Sequence, residues 1–357
     1  MDDMKFDLND IVIIPTESSD INSRKECKIT QKCDYNYQML PLMAAPMYTV
    51  VSKNNYQKFI DNGIIPCLPR GQHILPLQHI AGYGKKPYFQ SFGLYEIEKQ
   101  LDDYRCEAML PYKSCFYNHQ HVLIDIANGH MKKLLDIIKD IKKFWPNIQL
   151  MVGNVANPKT YVNLARAGAD YVRCSIGTGA GCTTAANVSI NYPMGSLIAE
   201  CRQLQKEYKL KTKIVADGGM KNYSDVIKAL ALGADYVMIG SIFNKTIESA
   251  GYNYLWGVKI HNKLSEVLWK WGFPIKKKYR GMSTKAVQRS WGKTQLVTAE
   301  GITKYQKVEN SLEQWTENFK DYLRSAMSYS GAKKLSDFIG YAQYVFITDA
   351  ARRRFDK

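Results

Sequence analysis

The chain has 357 residues, 45% of them hydrophobic and 23% charged, which is a globular composition. No run approaches the roughly 18 apolar residues of a membrane helix. The opening MDDMKFDLND is acidic where a secretory leader is basic and then apolar, so a cytoplasmic protein with no membrane partner is expected. The net charge of +16 attracts phosphates, nucleotides or nucleic acid without choosing among them.

In chain order, eight short β-rich runs are predicted at 42–45, 64–68, 88–92, 122–126, 150–153, 171–175, 213–217 and 236–240. Helical periodicity fills several intervals. It is clearest after the fourth run, where Met131, Leu134, Leu135, Ile138 and Ile141 share one face opposite lysines. Near-continuous apolar strands such as VLIDI and YVMIG suit a parallel sheet buried on both faces. An α/β fold follows, with eight βα units closing into a (β/α)8 TIM barrel and an open doubly wound sheet as the alternative. ARAGADYVR (165–173) and ALGADYVMI (231–239) repeat a helix end, a glycine cap at Gly168 or Gly233, and a strand start.

No linker interrupts 40–250, so 1–357 is expected to be a single barrel domain. It would have an N-terminal extension, a barrel over about 40–251, and a flap and C-terminal helical extension over about 252–357. The polar, aromatic stretch 252–310 precedes helices predicted at 311–328 and 331–340. Following the last strand, it should lie over the C-terminal face of the barrel or form subunit contacts.

Eight cysteines, at 27, 33, 67, 106, 115, 174, 182 and 201, include no CxxC pair and read as free thiols of a reducing compartment. The histidines form no HExxH, and His119 and His121 alternate along one strand, so catalysis by a bound metal is not expected. No GxGxxG follows a strand in dinucleotide-domain context. The basic runs at Lys276, Lys277, Lys278 and Arg280 and at Arg352, Arg353 and Arg354 read first as solvated faces, with a nucleic-acid site second.

Catalytic groups of such barrels sit where strands end and loops begin. SIGTGAGCTTAAN follows the sixth strand: Gly177, Gly179 and Gly181 let the backbone approach a ligand and lead to Cys182, Thr183 and Thr184. The N–H groups of such a loop can stabilise a thiolate, although alone it reads equally as a tight turn. After the seventh strand, Asp217 can accept hydrogen bonds from hydroxyls, and Gly218 and Gly219 present N–H groups to an anion. Gly240 and Ser241 repeat the theme after the eighth. Glycine turns after strands seven and eight form the usual phosphate site of such barrels, the strongest signal read from the residues themselves. YRGMS brings Tyr279, Gly281, Met282 and Ser283, and AEG brings Glu300, which alone reads as an exposed loop acid. Asp125 ends the fourth strand and suits a ribose or amide, or an N-cap for the next helix.

Taken together, DLNDIVIIP, INSRKEC, PLMAAPM, DIANGH, GNV, the cysteine loop, ADGG, MIGS and YRGMS resemble the family of IMP dehydrogenase and GMP reductase from about Phe6 to Gly301. The resemblance implies that Cys182 attacks C2 of a purine while Thr184 and Glu300 move protons. It implies that Thr183, Asp217, Gly218, Gly219, Gly240, Ser241, Tyr279, Gly281, Met282 and Ser283 hold the nucleotide. Asp125 and Asn128 fall in the DxANG stretch and are assigned to the cofactor, and the backbone of Gly177, Gly179 and Cys182 to a potassium ion. It also implies a homotetramer. The short flap between Gly281 and Glu300, with no Arg-Tyr pair, and the absence of an inserted regulatory domain look like GMP reductase: NADPH-dependent conversion of GMP, or a relative such as dGMP, to IMP and ammonia. PLMAAPM and YRGMS lean slightly toward IMP dehydrogenase, the first alternative. A barrel repurposed to bind or modify nucleic acid is the second. The loop departs from the family pattern at Thr178, Ala180, Gly181 and Ala185. In PCLPRGQH the usual histidine-lysine stretch is missing, which leaves Arg70 and His73 as the nearby candidates.

Overall fold

A computed structural model describes residues 4–33, 37–72, 87–105, 121–291, 294–295 and 298–355. His73, Cys106, Cys115 and His119 lie outside the described residues. The strands in chain order are β1 (Ile11–Ile13), β2 (Gln31–Lys32), β3 (Gln38–Met39), β4 (Leu42–Ala44), β5 (Ile65–Leu68), β6 (Phe89–Phe92), β7 (His121–Asp125) and β8 (Gln149–Val155). They continue with β9 (Tyr171–Cys174), β10 (Lys213–Asp217), β11 (Tyr236–Ile239), β12 (Asn253–Leu255), β13 (Val258–Ile260), β14 (Lys276–Arg280), β15 (Thr303–Lys307) and β16 (Tyr344–Phe346).

Strands β4 to β11 form a closed parallel barrel, each paired with the next and β11 with β4. All eight expected runs are therefore barrel strands. Alternation along them sorts the core into two layers. Met43, Leu123, Met151, Val215 and Met238 point inward with Phe89, Tyr171 and Tyr236. Their neighbours Val122, Ile124, Leu150 and Val152 point outward against Leu134, Ile138, Ile141 and Leu164 of the surrounding helices. Each such aliphatic side chain contributes about 1.5–3 kcal/mol by leaving water.

The helices start and stop where their sequences direct. In NPKTYVNLARAG, Asn157 accepts a hydrogen bond from the Lys159 N–H and Pro158 opens the helix Pro158–Ala167. Gly168, with φ at 113°, closes it. The helix Lys132–Phe144 buries Leu134, Ile137, Ile138 and Ile141 and ends on Lys142 and Lys143, which suit its negative pole.

Outside the barrel, β1 pairs antiparallel with β16, tying the N-terminal extension to the C-terminal one. Region 252–310 differs most from expectation: it contains a four-stranded antiparallel sheet in the order β13-β12-β14-β15, backed by the helix Asn262–Lys270. Its small core is Ile247, Leu255, Ile275 and Val308. The helix expected at 311–328 runs Leu312–Tyr329, whereas that expected at 331–340 is a single turn, Leu335–Phe338, ended by Ile339 in an extended conformation. No helix of the described residues is long and apolar enough to cross a membrane.

Candidate active site

The period that fills the barrel with apolar side chains also builds the floor of its mouth. Two residues beyond inward-facing Leu123, Tyr171 and Val215 come Asp125, Arg173 and Asp217. Arg173 is 6% exposed and bridges both acids: its Nη1 donates to Asp125 Oδ1 at 2.7 Å, and its Nη2 to Asp217 Oδ2 at 2.8 Å. Burial pulls the guanidinium pKa down, but the two carboxylates outweigh it and hold the pKa above the ordinary arginine value. Asn154 Nδ2 also donates to Asp217 Oδ2, at 2.7 Å. The backbone permits this cluster through Gly153, where a Cβ would sit 2.6 Å from Arg173 Cβ, and through a register shift between Gly153 and Val155.

Above this floor, the cysteine loop meets the segment that returns from the flap. Cys182 forms an antiparallel bridge with Gly301, the Thr183 N–H donates to Glu300 O at 2.9 Å, and the Ile302 N–H donates to Gly181 O at 3.0 Å. The glycines make this seam possible: a Cβ on Gly281 would lie 2.4 Å from Gly181 O. The pairing aligns three side chains. The Cys182 thiol donates to Thr184 Oγ1 at 3.2 Å, and the Thr184 hydroxyl donates to Glu300 Oε2 at 2.5 Å. Of the six described cysteines, five are buried and Cys182 is partly exposed. Burial pushes the thiols of Cys67 and Cys201 up, which marks them as inert core groups.

Cys182, Thr184 and Glu300 line a cavity of about 540 Å³, a size typical of small-molecule sites. Asp125, Gly177, Gly179, Asp217, Gly218, Gly219, Gly240, Ser241, Tyr279, Gly281, Met282 and Ser283 line it too. Two expected site residues lie elsewhere. Asn128 is exposed, its Oδ1 accepting the His130 N–H in a local turn, and the Thr183 hydroxyl is buried beside the cavity without a hydrogen-bond partner among the described residues. Nor does Asp125 cap the following helix, whose N-cap position is Met131. Among the described residues, no cluster of His, Cys, Asp or Glu could hold a metal ion.

The sequence model of the IMP dehydrogenase / GMP reductase domain matches residues 117–355, two thirds of the chain. This chain belongs to the IMP dehydrogenase / GMP reductase family. Within the family it is 33% identical over 232 residues to the inosine-5'-monophosphate dehydrogenase of Chlorobaculum parvum, a match covering 65% of this chain and 46% of that protein. The chain thus spans about half the length of the dehydrogenases it matches. To GMP reductase 2 of Homo sapiens it is 25% identical over 365 residues, covering 99% of this chain and 98% of that protein. To the GMP reductase of Lactobacillus delbrueckii it is 29% identical over 346 residues, covering 96% and 94%.

Within this family framework, Arg70, a candidate from PCLPRGQH, does line the cavity, while several other cavity residues escape a reading of motifs. Arg173 carried a signal, being a charged residue at an inward position of an otherwise apolar strand, whereas Asn154 falls on the outward period of Leu150 and Val152 and reaches Asp217 through the register shift between Gly153 and Val155. Arg70 stacks on Trp291, its guanidinium 4.6 Å from the ring centre, and its Nε, buried without a hydrogen-bond partner among the described residues, lies 3.6 Å from Asp125 Oδ2. The Trp291 indole donates to Tyr48 Oη at 2.9 Å, and the Tyr48 hydroxyl donates to Arg70 O at 2.8 Å. Nothing in the spacing of Tyr48, Arg70 and Trp291 announces this closed ring of contacts.

Proposed function

We propose that the protein is a GMP reductase-like oxidoreductase that converts GMP, or a close relative such as dGMP, to IMP and ammonia. The observation that carries this reading is the hydrogen-bonded series from Cys182 through Thr184 to Glu300. Its donors point one way, so the thiol proton has a path to a carboxylate as sulfur adds to C2 of the purine. Glu300 then holds that proton, and Thr184 returns it to the amino group, which leaves as ammonia. Two features support reductase over dehydrogenase: the short return from Gly281 to Glu300, and the 94–98% of GMP reductase length that the chain spans.

Asp217, Gly218, Gly219, Gly240, Ser241 and Tyr279 would take ribose and phosphate, with Met282 and Ser283 against the base. The remaining end of the cavity fits a nicotinamide nucleotide: it offers the Trp291 ring and the ion pair of Asp125 with Arg70, whose buried Nε has no hydrogen-bond partner among the described residues. A reduced nicotinamide held there would supply the hydride that replaces the amino group at C2, and breaking of the carbon–sulfur bond would then release Cys182. The balance is GMP, NADPH and two protons to IMP, NADP and ammonium. The potassium assignment fits less well. Gly177, Gly179 and Cys182 offer carbonyls from a single loop, and that of Gly179 already accepts the Cys182 N–H at 2.9 Å, so no step is routed through an ion.

The test is NADPH oxidation followed by absorbance with GMP and, in parallel, dGMP, with Cys182→Ala as control. Oxidation that the variant abolishes supports the reductase. Its absence with both nucleotides rejects it and turns attention to IMP with NAD, the reading favoured by the 33% identity to IMP dehydrogenases.

A further inference from the structure

Residues 252–310 make up about one sixth of the chain but carry 12 Lys and Arg against 3 Asp and Glu, more than half of the net charge of +16. The antiparallel register shows how that charge is arranged, because cross-strand partners share a face. Lys259, Tyr254, Lys276 and Lys307 form one row across four strands; Lys278 with Tyr305 form the next, and Arg280 with Thr303 the third. The opposite face, with Asn253, Leu255, Lys277 and Tyr279, is buried. The outer face thus carries five cations and two tyrosines with no carboxylate among them.

Two further observations show that, among the described residues, this face lacks an ionic partner; Arg280 alone turns toward the barrel, its guanidinium 5.9 Å over the Tyr48 ring. Among the described residues none of the five cations is in an ion pair, and the ion pairs of this region, Lys245–Glu309 and Lys58–Glu266, involve none of them. Lys276 stands directly opposite Lys307, a like-charge pairing that opposes folding. Tyr254 is half-buried, whereas two neighbouring rings are open to solvent. Tyr305 is 53% exposed, its ring 5.0 Å from that of Tyr254, and Tyr252 at the edge is 56% exposed with Lys259 Nζ 3.4 Å from its ring centre.

We propose that this outer sheet face binds single-stranded nucleic acid. Cations set at strand spacing meet phosphates, and exposed tyrosines stack on unpaired bases, the pairing of chemistries that holds single strands without sequence preference. The face spans about 14 by 17 Å, from strand spacings of about 4.8 Å and rises of about 3.4 Å. That accommodates the shortest single-strand sites, about 4 nucleotides. A duplex would leave the rings without open base faces, and a second copy of the sheet would bring like charge against like. The inference is independent of the reaction assigned to the cavity.

The test uses the full chain and a fluorescein-labelled oligothymidylate of about 12 nucleotides, read by anisotropy; the probe contains no purine that could enter the cavity. Binding should weaken about 50-fold between 50 and 200 mM salt if four phosphates are engaged, each contributing a slope of about 0.7. The pair Lys276→Gln and Lys307→Gln should weaken it at least tenfold and lower that slope. The pair Tyr254→Ala and Tyr305→Ala should weaken it about fivefold or more with the slope unchanged. Melting curves establish that each variant is folded, and Lys259→Gln replaces the lysine pair if that pair is not. No binding at low salt, binding indifferent to the variants, or displacement by GMP would overturn the proposal. So would an acidic protein or inorganic polyphosphate that competes as well as the oligonucleotide while the tyrosine pair binds normally.

Discussion

In the barrel, the buried cation Arg173 lies between two carboxylates, which keep it charged across the accessible pH range. In the antiparallel insert, Lys277 is just as buried but donates to main-chain carbonyls, Ser249 O at 2.6 Å and Gly251 O at 3.5 Å. Burial brings its pKa down to about 7 against a partial pull upward from Glu248. Carboxylates compensate a buried charge, whereas carbonyls satisfy its hydrogen bonds and leave much of the desolvation cost standing. The two regions thus differ in rigidity of charge, and the cavity lies where they join, with Cys182 and Thr184 from the barrel side and Glu300 from the insert.

The largest effect should come from removing the barrel's contribution to the shared series. Cys182→Ala is expected to lower turnover by ~10^4-fold or more, with the melting temperature nearly unchanged. On the insert side, Glu300→Gln should lower kcat by roughly 10^2–10^4-fold and KM far less, because the amide keeps the hydrogen bond but cannot hold the proton. If KM changed instead and kcat did not, Glu300 would be a binding group and the seam would not be catalytic. Arg173→Met sharpens the contrast in stability: with Asp125 and Asp217 left uncompensated, denaturant unfolding should show a loss of about 3–5 kcal/mol.

The last contrast concerns Lys277 and is read through pH. Its folded pKa lies below its unfolded value, so between about pH 7 and 10.5 the unfolded chain binds a proton that the folded chain lacks. Stability contributed at this site therefore rises with pH across that window and is lowest at or below pH 7. Lys277→Met should remove this dependence, so that the melting-temperature difference between variant and wild type, followed from pH 6 to 10, is largest at the acid end and shrinks toward the alkaline end. A difference constant with pH would mean that Lys277 is not held deprotonated by its surroundings.

The barrel was legible because burial on both faces gives its strands an apolar signal that helix periods punctuate. The same logic made the insert hard to read. In KKKYR, Lys277 and Tyr279 face inward and Lys276, Lys278 and Arg280 outward, but three consecutive lysines hide a period of two. The glycine loop, ADGG and YRGMS pointed to their own positions, and Glu300 was reached only through resemblance, since a lone acid in a polar loop has no signature. Thr183 and Asn128 show the limit of motif transfer: being adjacent in sequence to cavity residues did not aim their side chains into the cavity. Arg70 and Trp291 became neighbours only when the chain closed on itself.

The separation of 116 positions between Thr184 and Glu300 also has a consequence during synthesis. At 5–20 residues per second, on the order of 10 s passes between translation of the threonine and translation of the acid that accepts its hydrogen bond. A nascent chain carrying the glycine loop thus has a thiol and a threonine hydroxyl without their carboxylate, and the insert must dock before Glu300 is in place. On the reaction proposed above, ordering the parts this way would work as an interlock: the nucleophile would be armed last, when the cavity that restricts its access to other electrophiles already surrounds it.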